Sequence, residues 1–158
     1  KGDILIGLPS TGLHTNGYSL ARKVLLDQFT VNEYIREIDS SLDQALLSVH
    51  KSYLNVMEDA LDKDWLLGLS HITGGGLEGN TYRILSKGQM LDIDWNAWER
   101  PSIFNLIQDK GKVPDSDMKK SFNLGIGMVL VIKKNQLNTA QEYLEEKKEP
   151  HFIIGKIG

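Results

Sequence analysis

The chain has 158 residues, of which 41% are hydrophobic and 25% charged, a profile typical of one globular domain with a sizeable core. Its 18 Lys and Arg residues against 21 Asp and Glu give a net charge of −3, which argues against a nucleic-acid-binding surface. The lack of cysteine excludes disulfides, thiolate metal sites and cysteine nucleophiles, and no apolar run reaches the roughly 18 residues of a membrane span.

Hydrophobic periodicity predicts strands and helices that alternate along the chain. Strands are predicted at residues 4–8, 66–73, 89–94, 127–132 and 152–157. Helices are predicted to begin near residues 18, 49, 76, 101, 115 and 137, and an irregular connection is predicted over 30–44. This order favours an α+β fold with α/β-like alternation, in which helices cover a mixed β-sheet. No linker divides the chain, so residues 1–158 are predicted to form a single domain.

A polar loop follows the first predicted strand and precedes a helix, over residues 9–17. Its hydroxyl and amide side chains can form hydrogen bonds, and His14 can titrate near neutral pH. The free N–H groups of the helix that follows favour an anion such as a phosphate. A simple turn, with Thr15 or Asn16 capping the helix, explains the same residues equally well.

A second candidate segment runs from His71 through Thr73 into three consecutive glycines. Such a run suits a place where the backbone approaches a ligand or another chain closely. Gly74, Gly76 and Gly79 match a dinucleotide-binding pattern, and Asp94 follows at the distance of a ribose-binding acid. Glu78 would face the pyrophosphate, however, and a tight turn between strand and helix remains the simpler alternative.

The remaining signals are weaker. Gly125 and Gly127 precede or open the strongest predicted strand, where they favour a bulge or a close crossing of backbones. The histidines are scattered along the sequence without ligand spacing, so no metal site is predicted, and His50 is expected at the surface or boundary. His14 and His71 are the only candidate proton carriers in the two polar segments, and no catalytic residue can be assigned between them.

Taken in order, these segments resemble the C-terminal domain of the phosphoribosylformylglycinamidine cyclo-ligase family, also called the aminoimidazole ribonucleotide synthetases. The resemblance is carried by Ser-Thr-Gly-Leu-His-Thr-Asn-Gly-Tyr-Ser at 10–19, His-Ile-Thr-Gly-Gly-Gly at 71–76 and Phe-Asn-Leu-Gly-Ile-Gly-Met at 122–128. The Gly2-Asp3 opening and the closing strand at 152–157 also resemble that family. Each motif alone is weak, but the ordered set covers nearly the whole chain and displaces the dinucleotide interpretation.

The resemblance implies an ATP-dependent ligase of de novo purine biosynthesis that closes the imidazole ring of formylglycinamidine ribonucleotide. It implies that residues 1–158 form the C-terminal, substrate-side domain of a longer, cytoplasmic, homodimeric enzyme. ATP and Mg²⁺ would be bound mainly by an N-terminal domain that this chain lacks, so the chain alone is expected to be inactive. The residues expected to contact the phosphorylated ribonucleotide are Ser10, Thr11, Gly12, His14, Thr15, Asn16, His71, Thr73, Gly74, Gly75 and Gly76.

Sibling families share this architecture, and they keep an alternative open. The chain could be a non-catalytic binding or dimer-supporting module of the selenophosphate synthetase, thiamine-monophosphate kinase, hydrogenase-maturation or formylglycinamide ribonucleotide amidotransferase type. The His71-Ile72-Thr73 lead into the glycines and the Phe122-Asn123 pair resemble the cyclo-ligases more closely.

Overall fold

A computed structural model describes residues 1–158 and shows one five-stranded sheet with helices on both faces. The strands of this sheet are β1 Ile4–Pro9, β4 Leu66–His71, β5 Leu91–Ile93, β6 Ile126–Ile132 and β7 Phe152–Ile157, and a small hairpin pairs β2 Tyr34–Ile35 with β3 Ser40–Ser41. The helices are α1 Tyr18–Leu25, α2 Leu42–Leu46, α3 Leu54–Met57, α4 Gly76–Thr81, α5 Ser102–Gly111, α6 Asp115–Ser121 and α7 Leu137–Glu146. Short 3₁₀ turns lie at Arg36–Ile38, Tyr82–Ile84 and Lys134–Gln136. No helix has the length and apolar character that a bilayer crossing requires.

The sheet has the order β4-β6-β1-β7-β5, and every neighbouring pair is antiparallel. The predicted α+β class is confirmed. The prediction of a mixed sheet, with both parallel and antiparallel pairs, was wrong, because all four pairs of neighbouring strands are antiparallel. An antiparallel sheet also lacks the parallel βαβ unit of a dinucleotide-binding fold. The glycine pattern at 74–79 therefore does not belong to a dinucleotide-binding unit.

The core lies on both faces of the central strands. All seven residues of β6 are buried, which explains why its sequence is apolar without interruption. Side chains alternate between the faces: Leu130 packs with Ile6 under α7, whereas Val129 packs with Leu5 on the opposite face. A third cluster fills the space among α1, α2, α5 and α6. That residues 1–158 form a single domain stays a prediction.

Three local predictions were wrong. The helix predicted to begin near residue 49 forms only at α3, because Val49, which extended the apparent periodicity, is 85% exposed. The connection predicted at 30–44 contains β2, β3 and α2, and a capping box of Ser41 and Gln44 starts α2. Neither Thr15 nor Asn16 caps α1, which begins after Gly17 without a side-chain cap.

The fold brings both polar segments to the same end of the sheet. Strands β1 and β4 each pair antiparallel with β6, so they run in the same direction on either side of it. The loop after Pro9 and the turn after His71 therefore leave the sheet side by side. The pairing of β1 with β6 shifts register opposite Gly127, which confirms the irregularity predicted there.

Candidate functional site

The first loop, residues 10–16, is fastened to the start of β6. The Ser10 N–H donates to the Gly125 carbonyl oxygen at 2.8 Å, and the Ser10 hydroxyl donates to Oδ1 of Asn123 at 2.9 Å. Nδ2 of Asn123 donates to the Gly12 carbonyl oxygen at 2.8 Å. These long-range bonds give the loop a defined shape although it has no regular secondary structure.

His14 lies inside this loop and is only 4% exposed. Its backbone has a positive φ of 57°, and its Nε2 accepts the Thr11 N–H at 3.1 Å. Its Nδ1 is buried without a partner. Burial, and then the neighbouring His50, His71 and Lys51, lower the pKa of His14 to about 4, so the ring is neutral at pH 7. A neutral ring with one nitrogen engaged and the other buried is poorly placed to carry a proton to a ligand.

The glycine turn, residues 71–76, packs directly against the first loop. The Gly74 N–H donates to Oδ1 of Asn16 at 3.0 Å. Gly75 and Gly76 have φ of 105° and 68°, which a residue with a Cβ rarely adopts. Gly76 also approaches the backbone of α6 so closely that a Cβ there would lie 2.8 Å from the Lys119 carbonyl carbon. Gly75 and Gly76 are therefore required by the turn conformation, and Gly76 also by its contact with α6.

Three histidine rings form a column where the two segments meet. The His14 and His50 rings stack with their centroids 3.9 Å apart, and the His50 and His71 centroids are 5.4 Å apart. The edge of Tyr53 contacts the column, and its hydroxyl donates to the Pro9 carbonyl oxygen at 2.9 Å. His71 is exposed, and partial burial followed by the charge of His50 lowers its pKa. The geometry favours His71 over His14 as the candidate proton carrier.

A groove of about 430 Å³ opens beside this column. The polar part of its lining consists of His50, Lys51 and His71. The apolar part of its lining comprises Tyr53, Leu54, Met57, Leu61, Leu69 and Met128. Lys51 forms an ion pair with Glu149, and both side chains are largely buried. The groove therefore combines a mostly apolar lining with a few polar groups, as ligand sites commonly do.

The three histidines, scattered in the sequence, meet in a cluster that could hold a metal ion, but their geometry does not favour one. One nitrogen from each of His14, His50 and His71 lies within 4.8 Å of the others. Bound histidine nitrogens lie about 2.0–2.1 Å from an ion such as Zn²⁺ and direct their in-plane lone pairs at it. The His14 and His50 planes are only 17° from parallel, so these lone pairs do not converge, and Nε2 of His14 already accepts a hydrogen bond.

Mg²⁺ fits these residues less well, because it prefers oxygen ligands and the cluster contains no carboxylate. The expectation that this chain holds no metal stays a prediction.

The structure brings the predicted ligand-binding residues of both segments to one place. Thr15 and Thr11 are exposed there, and Thr11 also donates through its hydroxyl to the Val49 carbonyl oxygen at 2.6 Å. Five residues that belong to this site or hold it were missed: His50, Lys51, Tyr53, Asn80 and Asn123. Only Asn123 carried a signal, since it lies within the Phe-Asn-Leu-Gly motif already singled out.

The sequence of this chain also matches those of known proteins. The family model for "AIR synthase related protein, C-terminal domain" matches residues 1–158. The chain belongs to this family. Proteins named phosphoribosylformylglycinamidine cyclo-ligase are 43% identical over 155 residues in Pseudothermotoga lettingae and 41% identical over 158 residues in Thermodesulfovibrio yellowstonii. These alignments cover 98% and 99% of this chain but 46% of each relative, so the chain spans about half their length.

Solved structures with a similar fold are more distant in sequence. The protein tt0281 from Thermus thermophilus has a TM-score of 0.56 at 12% identity, over 99% of this chain and 46% of that protein. HypE, a hydrogenase maturation protein of E. coli, has a TM-score of 0.58 at 15% identity, over 99% of this chain and 44% of that protein. At these identities the likeness supports the fold alone.

Proposed function

We propose that this chain is the C-terminal, substrate-side domain of a phosphoribosylformylglycinamidine cyclo-ligase. The observation that carries the proposal is the identity of 41–43% over 98–99% of the chain to relatives with that name. The structure supports it, because the motifs behind the resemblance, far apart in sequence, lie together beside one groove.

The proposed reaction of the parent enzyme closes the imidazole ring of formylglycinamidine ribonucleotide. ATP phosphorylates the formyl oxygen, with ADP as the product, and the amidine-side nitrogen then attacks the activated carbon. The new C–N bond forms as the C–O bond to phosphate breaks. Such a ring closure depends on holding the nitrogen and carbon in the right orientation, and it needs no strong protein nucleophile.

The first loop and the glycine turn are the proposed contacts for this ribonucleotide. Thr11 and Thr15 are exposed in the first loop, and the Thr11 hydroxyl, which donates to the Val49 carbonyl oxygen, can still accept a hydrogen bond from a ligand. Gly74 and Gly75 are exposed and allow the substrate to approach their backbone. Within the column His71 is exposed, whereas His14 is buried and His50 half-buried. His71 is therefore the proposed residue for binding the base precursor and accepting the proton lost by the attacking nitrogen.

The other parts of the parent enzyme are proposals of the same kind. The relatives are about twice as long as this chain, which supports an N-terminal partner domain. That domain is proposed to bind most of the ATP and its Mg²⁺, since the histidine column lacks the oxygen ligands that Mg²⁺ prefers. A homodimeric parent and a cytoplasmic location follow from the same family and complete the proposal. The isolated chain is expected to show no turnover.

Isothermal titration calorimetry of this chain tests the proposal. We expect formylglycinamidine ribonucleotide to bind and ATP to give no measurable heat. His71→Ala should weaken ribonucleotide binding about tenfold, as loss of a hydrogen bond to a charged or polar group predicts. His151→Ala is the matched control, because His151 lies outside the column and bonds to the Glu149 carbonyl. Binding of ATP without the ribonucleotide, or of neither ligand to the folded chain, would contradict the proposal.

A further inference from the structure

Asn123 is a buried amide that uses both ends of its side chain to hold the first loop. It is 3% exposed. Its Oδ1 accepts the Ser10 hydroxyl and the Gly125 N–H, both at 2.9 Å, and its Nδ2 donates to the Gly12 carbonyl oxygen at 2.8 Å. Because the side chain must accept and donate at once, neither aspartate nor alanine can replace all three bonds.

Asn80 does the same for the glycine turn. It is also 3% exposed, and its Nδ2 donates to the carbonyl oxygens of Gly76 at 2.7 Å, Thr73 at 3.1 Å and Gly74 at 3.4 Å. Its Oδ1 accepts the Thr73 hydroxyl at 3.0 Å. One side chain therefore binds the backbone of three of the four residues from 73 to 76.

Asn16 joins the two segments. Its Oδ1 accepts the Gly74 N–H at 3.0 Å, while the carbonyl oxygen of the same glycine accepts from Asn80. Gly74 is thus held from the first loop on one side and from α4 on the other. A displacement of either segment must stretch this connection.

We infer that Asn123, Asn16 and Asn80 are positioning residues that hold the first loop and the glycine turn together as one binding unit. The functional part of this inference rests on the proposed function. The two buried asparagines expose too little surface to contact a ligand, so they act through the loops that they hold. Asn16 acts through its acceptor atom alone, so an aspartate there preserves the connection while an alanine removes it.

Nuclear magnetic resonance of the ligand-free chain tests the positioning role independently of any substrate. In the wild type, Nε2 of His14 accepts the Thr11 N–H, so the ring must hold its proton on Nδ1. Asn123→Ala should shift the Thr11 amide resonance and turn the single His14 tautomer into a mixture. Asn138→Ala, an exposed site on α7, is the control and should change neither signal. Unchanged Thr11 and His14 signals in folded Asn123→Ala would overturn the role of Asn123.

Asn16 provides a second pair of variants that does not disturb the core, because its side chain is only half-buried. Asn16→Ala should move the Gly74 amide resonance and speed its hydrogen exchange, whereas Asn16→Asp should leave both near the wild-type values. Equal effects of the two variants would contradict the connection. These measurements remain decisive if Asn123→Ala or Asn80→Ala fails to fold.

Calorimetry then tests the functional part. Asn16→Ala and Asn80→Ala should each weaken binding of formylglycinamidine ribonucleotide about tenfold, and Asn16→Asp should bind like the wild type. If the resonances move as described but the wild type binds no ribonucleotide, the proposed function fails while the structural connection stands. If the wild type binds and these variants bind equally well, the inference about positioning is wrong.

Discussion

Replacing Gly76 by alanine should destabilise the fold strongly, because two separate penalties meet at that residue. Its φ of 68° lies in the left-handed region, which costs a residue with a Cβ about 1–2 kcal/mol. The new Cβ would overlap the Lys119 carbonyl oxygen and lie 3.3 Å from Cα of Lys120, and such overpacking costs about 1–3 kcal/mol. The sum is about 2–5 kcal/mol, a large part of the roughly 5–15 kcal/mol by which a typical domain is stable.

Urea unfolding followed by the fluorescence of the buried Trp65 and Trp98 measures this loss. Gly79→Ala is the matched control on the same helix, where an added Cβ meets no atom within 4 Å. That variant should be more stable than the wild type by about 0.5–1 kcal/mol, because alanine loses less backbone entropy than glycine in a helix. The reasoning is refuted if Gly76→Ala unfolds within about 0.5 kcal/mol of the wild type, the usual range of a surface substitution, or if the two variants change stability equally.

Two further predictions concern charge. Lys51→Met should destabilise the chain by about 1–3 kcal/mol, because it leaves a largely buried carboxylate unpaired. Lys147→Met, at an exposed pair, should destabilise it clearly less in the same urea assay. Lys119 and Arg100 hold the pKa of Asp115 below its usual value. The ionised Asp115 carboxylate therefore contributes to the free energy of unfolding above about pH 4, and this contribution is lost as pH falls through the lowered pKa. The wild type should be more stable than Asp115→Asn at neutral pH, and this difference should shrink between about pH 5 and pH 2. A difference that stays constant over that range would contradict the prediction.

The strands with the strongest apolar runs were predictable from the sequence. β6 is buried on both faces and β1 on all but its ends, so each appears as a short uninterrupted hydrophobic segment. The pairing of strands was not predictable, because the order of strands and helices is compatible with parallel and antiparallel neighbours. The antiparallel sheet thus emerges only from the tertiary structure.

The two polar segments could also be found in the sequence, but the groups that complete the site could not. His50 lies 36 positions after His14 in an irregular stretch, and its ring reaches the column because Thr11 binds the Val49 carbonyl next to it. No periodicity or spacing reports such a contact. The burial of His14 was equally invisible, since its titration near neutral pH was inferred from residue type alone.

Asn80 illustrates the same limit inside a helix. In the sequence, Asn80 is only a residue of weak helix propensity that follows Gly79. Its four hydrogen bonds form because α4 directs its side chain back onto residues 73–76. A buried amide that organises a turn cannot be distinguished from an exposed one until the helix is placed.

The most direct test of the account is a ¹H–¹⁵N titration of this chain with formylglycinamidine ribonucleotide. The central claim is that the first loop and the glycine turn form one site for that ligand. It predicts that the largest shifts fall on the amides of Thr11, Thr15, Gly74 and Gly75, with one common dissociation constant. Shifts confined to the far edge of the sheet around Asp92 and Lys156, or different constants for the two segments, would contradict it.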